Sequence, residues 1–188
     1  LKNLLKEFKL NLYHVENSPI SGGSLIVFFA KKKYIASKKL NDLLEKENKE
    51  KINSLKTWQN FERDASNHKL KIQNLLKNKK NIIAYGASAR SSTFLNYCKI
   101  NNRLIKNVCD KNLLKNNKYT PGSKIQIINP SKVEWKKENY VIILSWNFYK
   151  EIVEYLKIKK FKGVVLKPFP KIIEKKILKF QILNQVMD

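Results

Sequence analysis

"NIIAYGASARSSTFLNYC", residues 81–98, decides the fold. An apolar run from Ile82 to Tyr85 stops at Gly86, passes through Ala87, Ser88, Ala89, Arg90, Ser91, Ser92 and Thr93, and gives way to a helix-like run from Phe94. That grammar predicts a strand, a tight turn and a helix. A glycine permits the sharp turn. Backbone N–H groups around Ser91 to Thr93, reinforced by the helix dipole, are placed to face an anion. The hydroxyls of Ser88, Ser91, Ser92 and Thr93 add donors, and Arg90 adds a cation able to pair bidentately with a phosphate. Neither G-x-G-x-x-G nor G-x-x-x-x-G-K-[ST] is present, so a plain serine-capped connection fits the same letters.

Further apolar runs surround this stretch. "LIKNVCD" (104–110), "KIQII" (124–128), "YVIILS" (140–145) and "GVVLK" (163–167) read as strands, with "NIIAY" (81–85) the first. "STFLNYCKI" (92–100) and "NFYKEIVEYLKI" (147–158) read as helices. Near-continuous apolar strands are expected where both faces of a parallel sheet are covered. The fold class is therefore α/β, a Rossmann-like parallel sheet with flanking helices over residues 81–188. Residues 1–80 form a preceding arm, expected to pack on that unit. It holds a short helix over "LKNLLKEF" (1–8), two strands ("KLNLYHVENSP" and Leu25 to Ala30) pairing antiparallel through residues 17–23, and a charged helical segment from Ser37. The last stretch carries Leu55, Trp58, Phe61, Leu70 and Leu75 at helical spacings, as for a long helix packed on a sheet.

Other candidates follow strand ends. Asp110 stands where a Rossmann fold often puts a ribose-binding carboxylate. "KYTPGSKI" (118–125), with Tyr119, reads as a type II turn at Pro121-Gly122, either a rigid connector or a substrate loop. In "SWNF" (145–148), Ser145 or Asn147 is expected to cap the next helix, with Asn147 also a ligand contact. No catalytic residue is expected. His14 and His68 are the only histidines, and neither falls beside a Ser, Cys or carboxylate in a nucleophile pattern. His68 reads as a solvated or capping residue.

The formal net charge is +24. Nucleic acid is the obvious anionic partner, but only Arg63, Arg90 and Arg103 among the 39 basic residues are arginine, the residue that reads bases and phosphates best. A basic cleft concentrates small anions by the same field. No apolar run approaches the roughly 18 to 20 residues a membrane-spanning helix needs. Two cysteines, Cys98 and Cys109, build neither a disulfide framework nor a zinc site and read as buried thiols in a reducing cytoplasm. The opening, Leu1 with no methionine, reads as part of a longer protein.

"GGSLIVFFA", "YGASARSSTFLNYCKI", "VCDKNLLKNNKYTPGSKIQI" and "VIILSWNFYKEI" occur in that order. They resemble the C-terminal domain of the sugar C-methyltransferase family over about residues 10 to 170. The resemblance implies one wall of an active site, facing a nucleotide-diphosphate sugar across a cleft from a preceding domain. S-adenosylmethionine and the acid/base residues belong upstream, so this stretch alone is expected to be inactive and to bind neither cofactor nor metal. Where the family pattern has His before Gly-Gly-Ser and Arg after the Leu, this chain has Ser21 and Ile26. Its Ala-x-x-Lys-Gly turn becomes Ala87-Ser88-Ala89-Arg90-Ser91, keeping a cation and adding a side chain at Ser91. Two other readings are carried: a stand-alone nucleotide-binding Rossmann module without chemistry, and a basic nucleic-acid-binding protein.

Overall fold

A computed structural model describes residues 1–20 and 23–177; Ser21 lies outside the described residues. The chain divides into two compact units, Leu1–Ser66 and Asn67 onward.

The first unit holds α1 (Lys2–Glu7), β1 (Asn11–Ser18), β2 (Ser24–Ala30), α2 (Lys38–Lys49) and the start of α3 (Leu55–Leu76). Its strands pair antiparallel as expected, Glu16 opposite Ile26 and Asn11 opposite Ala30. Ser37 caps α2, its Oγ accepting the Leu40 N–H at 3.2 Å. Leu5, Val15 and Leu40 are buried. Leu55, Trp58 and Phe61 are exposed, which corrects the expectation that the whole apolar stripe of this helix packs on a sheet. Only Ile72 and Leu76, near the end of α3, are buried.

The second unit is a six-stranded sheet. Its elements are β3 (Ile82–Tyr85), α4 (Ala89–Tyr97), β4 (Ile105–Cys109), β5 (Ile127–Ile128), β6 (Tyr140–Ile143), α5 (Tyr149–Ile158), β7 (Val164–Lys167) and β8 (Ile173–Lys176). The order is β5-β4-β3-β6-β7-β8. The first five strands run parallel, and β8 returns antiparallel to β7. Alternation along β3 shows why: Ile82 and Ala84 join Ile72, Leu76 and Leu95 in one core, whereas Ile83 and Tyr85 join Trp135, Ile152, Leu156 and Val165 in another. Both faces of the sheet are thus covered. Each fully buried Ile or Leu contributes about 1.5 to 3 kcal/mol of hydrophobic stabilisation.

Several elements differ from the sequence reading. The strand expected over 124–128 shrinks to two residues, because residues 117–119 fold back on its start: the Ile127 N–H donates to the Lys118 carbonyl at 2.7 Å. Strand β8 had no counterpart in that reading, since all four of its residues are exposed and carry no apolar alternation. Helix α4 begins at Ala89 rather than Ser92, because Ser88 takes the cap.

The order places β4 on one side of β3 and β6 on the other. Helix α4, following β3, feeds one core with Leu95, and α5, following β6, feeds the opposite core with Ile152 and Leu156. Successive connections diverge to opposite faces, so a crevice opens between the carboxyl ends of β3 and β6.

Candidate functional site

Gly86 sits at the lip of that crevice. Its φ of +104° lies in the left-handed region, and a Cβ there would collide with Ser145 Oγ and stand 2.9 Å from the Ser145 backbone nitrogen. The ends of β3 and β6 are drawn together by Leu144 and Ser145, whose N–H groups donate to the Tyr85 carbonyl at 2.9 and 3.2 Å. On the other side the Gly86 N–H donates to the Cys109 carbonyl at 2.7 Å. Only glycine satisfies both the conformation and the approach.

The turn then enters α4 through a capping box. Ser88 Oγ accepts the Ser91 N–H, and Ser91 Oγ accepts the Ser88 N–H, both at 3.2 Å. Ser91 is completely buried by this exchange. Ser92 Oγ donates to the Ser88 carbonyl at 3.3 Å and Thr93 Oγ1 to the Ala89 carbonyl at 3.2 Å. The amides expected to cradle an anion are therefore corrected: the Ser91 N–H serves the cap and the Ser92 N–H bonds the Ser88 carbonyl at 3.0 Å. The early start of the helix puts Ala89 and Arg90 in its first turn instead.

Ser88 and Arg90 line a cleft of about 70 Å³ with Leu144, Ser145, Trp146, Asn147 and Phe148. The Arg90 guanidinium lies over the Trp146 ring, 5.7 Å from its centroid. Trp146 packs on Phe169, centroids 5.3 Å apart, and Phe169 meets the edge of His68 at 6.2 Å. Residues from behind β3, β6 and β7 thus converge. Sequence reasoning found Arg90, Ser88 and Asn147 but missed Trp146 and Phe169; an aromatic directly after an apolar strand is the signal that was there to read. Neither Ser145 nor Asn147 caps α5, contrary to expectation. A 3-10 turn, Trp146–Phe148, intervenes, Ser145 makes no side-chain cap bond, and Phe148 becomes the residue before the helix.

Asp110 lies beside the turn and accepts three hydrogen bonds. Its Oδ2 accepts the Ala87 N–H and the Lys115 ammonium, each at 2.9 Å, and its Oδ1 accepts the Asn112 N–H at 2.9 Å. Burial pushes its pKa up, but the Asn112 N–H, Lys115 and the Ala87 N–H together outweigh that and hold it below the usual carboxylate value. Lys115 also donates to the Ala87 carbonyl at 2.8 Å. Tyr119 is not brought to the cleft. It is 63% exposed and bridges Gln126 antiparallel ahead of β5, at the sheet's outer edge. In the turn after it Gly122 has φ +74°, and Thr120 and Ser123, both buried, share a hydroxyl hydrogen bond of 2.7 Å.

The histidines also differ from expectation. His14 does lie between a serine and a carboxylate, with Ser37 Oγ at 2.7 Å from Nδ1 and Glu16 Oε1 at 3.3 Å from Nε2. Pairing across 23 residues of sequence hid this. The serine is the α2 cap and the carboxylate also pairs with Lys39 at 3.5 Å, so the array closes on itself. His68 is half-buried, with its Nε2 enclosed and without a hydrogen-bond partner. Cys98 and Cys109 are free buried thiols, and burial raises both pKa values, that of Cys98 to about 11. Among the described residues no group of three His, Cys, Asp or Glu side chains is placed to hold a metal. Among them, too, no helix is long and apolar enough to cross a membrane.

A parallel sheet whose connections part above a turn of this kind defines a doubly wound α/β domain. Residues 19–170 match the family described as "C-methyltransferase C-terminal domain". The match covers most of the chain, which belongs to that family. The C-methyltransferase NovU of Streptomyces niveus is 26% identical over 160 residues, 82% of this chain but 38% of the relative's own length. The chain thus spans less than two fifths of that relative.

Proposed function

We propose that this chain is the sugar-nucleotide-facing C-terminal domain of an S-adenosylmethionine-dependent C-methyltransferase, holding the diphosphate or sugar of a nucleotide-diphosphate sugar at the crevice between β3 and β6. The whole chain acts as that one domain, in the cytoplasm. The observation that carries the reading is the convergence of Ser88, Arg90, Ser145 and Asn147 on one cleft, at the place where open α/β sheets bind ligands. Arg90 is the principal cation. Ser88 and Asn147 offer polar contacts at the rim, while Ser91, Ser92 and Thr93 support the helix that carries Arg90.

The cofactor is assigned to the preceding domain. Asp110, the residue best placed to take a ribose hydroxyl, already accepts from the Ala87 and Asn112 N–H groups and from Lys115, which supports that assignment. Its contribution is to position the sugar and exclude water, and proton removal falls to a base on the other side of the cleft. Positioning of that kind is worth orders of magnitude in rate without any chemistry in this domain.

The test is Arg90→Ala in protein carrying the preceding methyltransferase domain. Losing one charge-assisted pair costs about 1.5 to 3 kcal/mol, so the KM for the sugar nucleotide rises roughly ten- to a hundredfold while S-adenosylmethionine binding is unchanged. An unchanged KM would return the turn to a serine-capped connection. Sugar-nucleotide binding without methyl transfer in the intact enzyme would favour the stand-alone module instead.

A further inference from the structure

Trp146 contacts Arg90. The guanidinium lies against the indole at 5.7 Å from the ring centroid, and the indole is backed by Phe169 at 5.3 Å. Arg90 is exposed, in the first turn of α4. It also stands at the positive end of the helix dipole, with no acidic residue in that turn to offset it. The ring face gives a cation in that place a favourable contact that the helix end does not. A guanidinium is a planar fork of N–H donors, the geometry that meets two oxygens of one phosphate, and a ring that limits where the side chain lies limits the direction of that fork. Ser88 and Asn147 line the same cleft.

Resting on the reading above, we propose that Trp146, wedged by Phe169, is a positioning residue: it pre-orients Arg90 for bidentate capture of one phosphate of a diphosphate group. Phe148, 60% exposed at the rim of the cleft, is not part of this stack.

The test is a double-mutant cycle, titrating inorganic pyrophosphate calorimetrically into the full chain. Trp146→Leu weakens binding about tenfold in the parent, and Arg90→Ala weakens it at least as much. In the Arg90→Ala background Trp146→Leu has no further effect, because the indole acts only through the arginine. Arg90→Lys keeps the charge, loses the planar fork, and binds several-fold less tightly than the parent. Trp146→Phe retains a ring and most of the affinity, which separates loss of stacking from loss of folding if the leucine variant is unstable. Equal weakening by Trp146→Leu in both backgrounds would overturn the positioning role, as would no weakening in the parent. Unchanged binding in Arg90→Ala would overturn the site itself and with it the proposed function.

Discussion

Replacing Gly86 by alanine tests how tightly β3 and β6 close. The new Cβ meets Ser145 Oγ, its Cβ at 2.7 Å and its nitrogen at 2.9 Å, and the backbone must hold φ +104°. Strain in that region costs on the order of 1 to 3 kcal/mol even without a clash. The expected loss of stability is therefore at least about 2 kcal/mol, read as a lower urea midpoint with an unchanged slope. Adding Ser145→Gly should restore only part of it, since the hydroxymethyl leaves while the backbone nitrogen and the φ remain. Full recovery in the double variant would show that the side chain alone, not the backbone approach, demands glycine.

At the scale of elements, Asp110 ties the loop after β4 to the turn after β3. Its folded pKa is held below the unfolded value, so the stability it confers is present above the unfolded pKa, about 3.9, and is lost as pH falls through the folded one. Asp110→Asn should lower stability at pH 7 and flatten the decline below about pH 4, seen by comparing urea midpoints of both proteins from pH 7 to pH 3. An identical decline in the variant would mean the carboxylate is not the group that titrates.

The strands around this tie were legible because each is apolar on both faces, as in Ile82 to Tyr85. Strand β8 was not, since an edge strand reading Ile-Glu-Lys-Lys carries only solvated side chains. Asp110 was found as a residue at a strand end, but its partners were not, because Lys115 and the Ala87 N–H meet it only through the fold. Ser91, Ser92 and Thr93 could be named as hydroxyls, yet their direction depends on where α4 starts, and a shift of three residues turned them into the helix. Trp146 gains its role only from Arg90 and Phe169, which meet it through the fold.

For the whole molecule the governing quantity is the charge of +24. Some of the lysines are spread over separate tyrosine rings of the second unit: Lys79 lies over Tyr140, Lys69 over Tyr97, Lys111 over Tyr155 and Lys167 over Tyr149, at 4.6 to 5.5 Å from the ring centroids. Dispersed lysines repel one another over the Debye length, about 30 Å at 0.01 M salt and about 8 Å at 0.15 M. Raising sodium chloride from 10 to 200 mM should therefore raise the melting temperature by screening alone. Pyrophosphate at matched ionic strength should raise it further if the cleft captures a diphosphate. At a hundred times its dissociation constant a ligand adds about 2.7 kcal/mol, which corresponds to roughly 5 to 10 °C for a chain of this size. The chloride effect should survive Arg90→Ala, because one charge in so many changes little, while the excess from pyrophosphate should vanish. Duplex DNA of random sequence provides the contrast: if it stabilises the parent and Arg90→Ala equally, it reads the dispersed lysines and not the cleft. A pyrophosphate excess that persists in Arg90→Ala would place the diphosphate among those lysines instead, and would remove the cleft between β3 and β6 from the functional account.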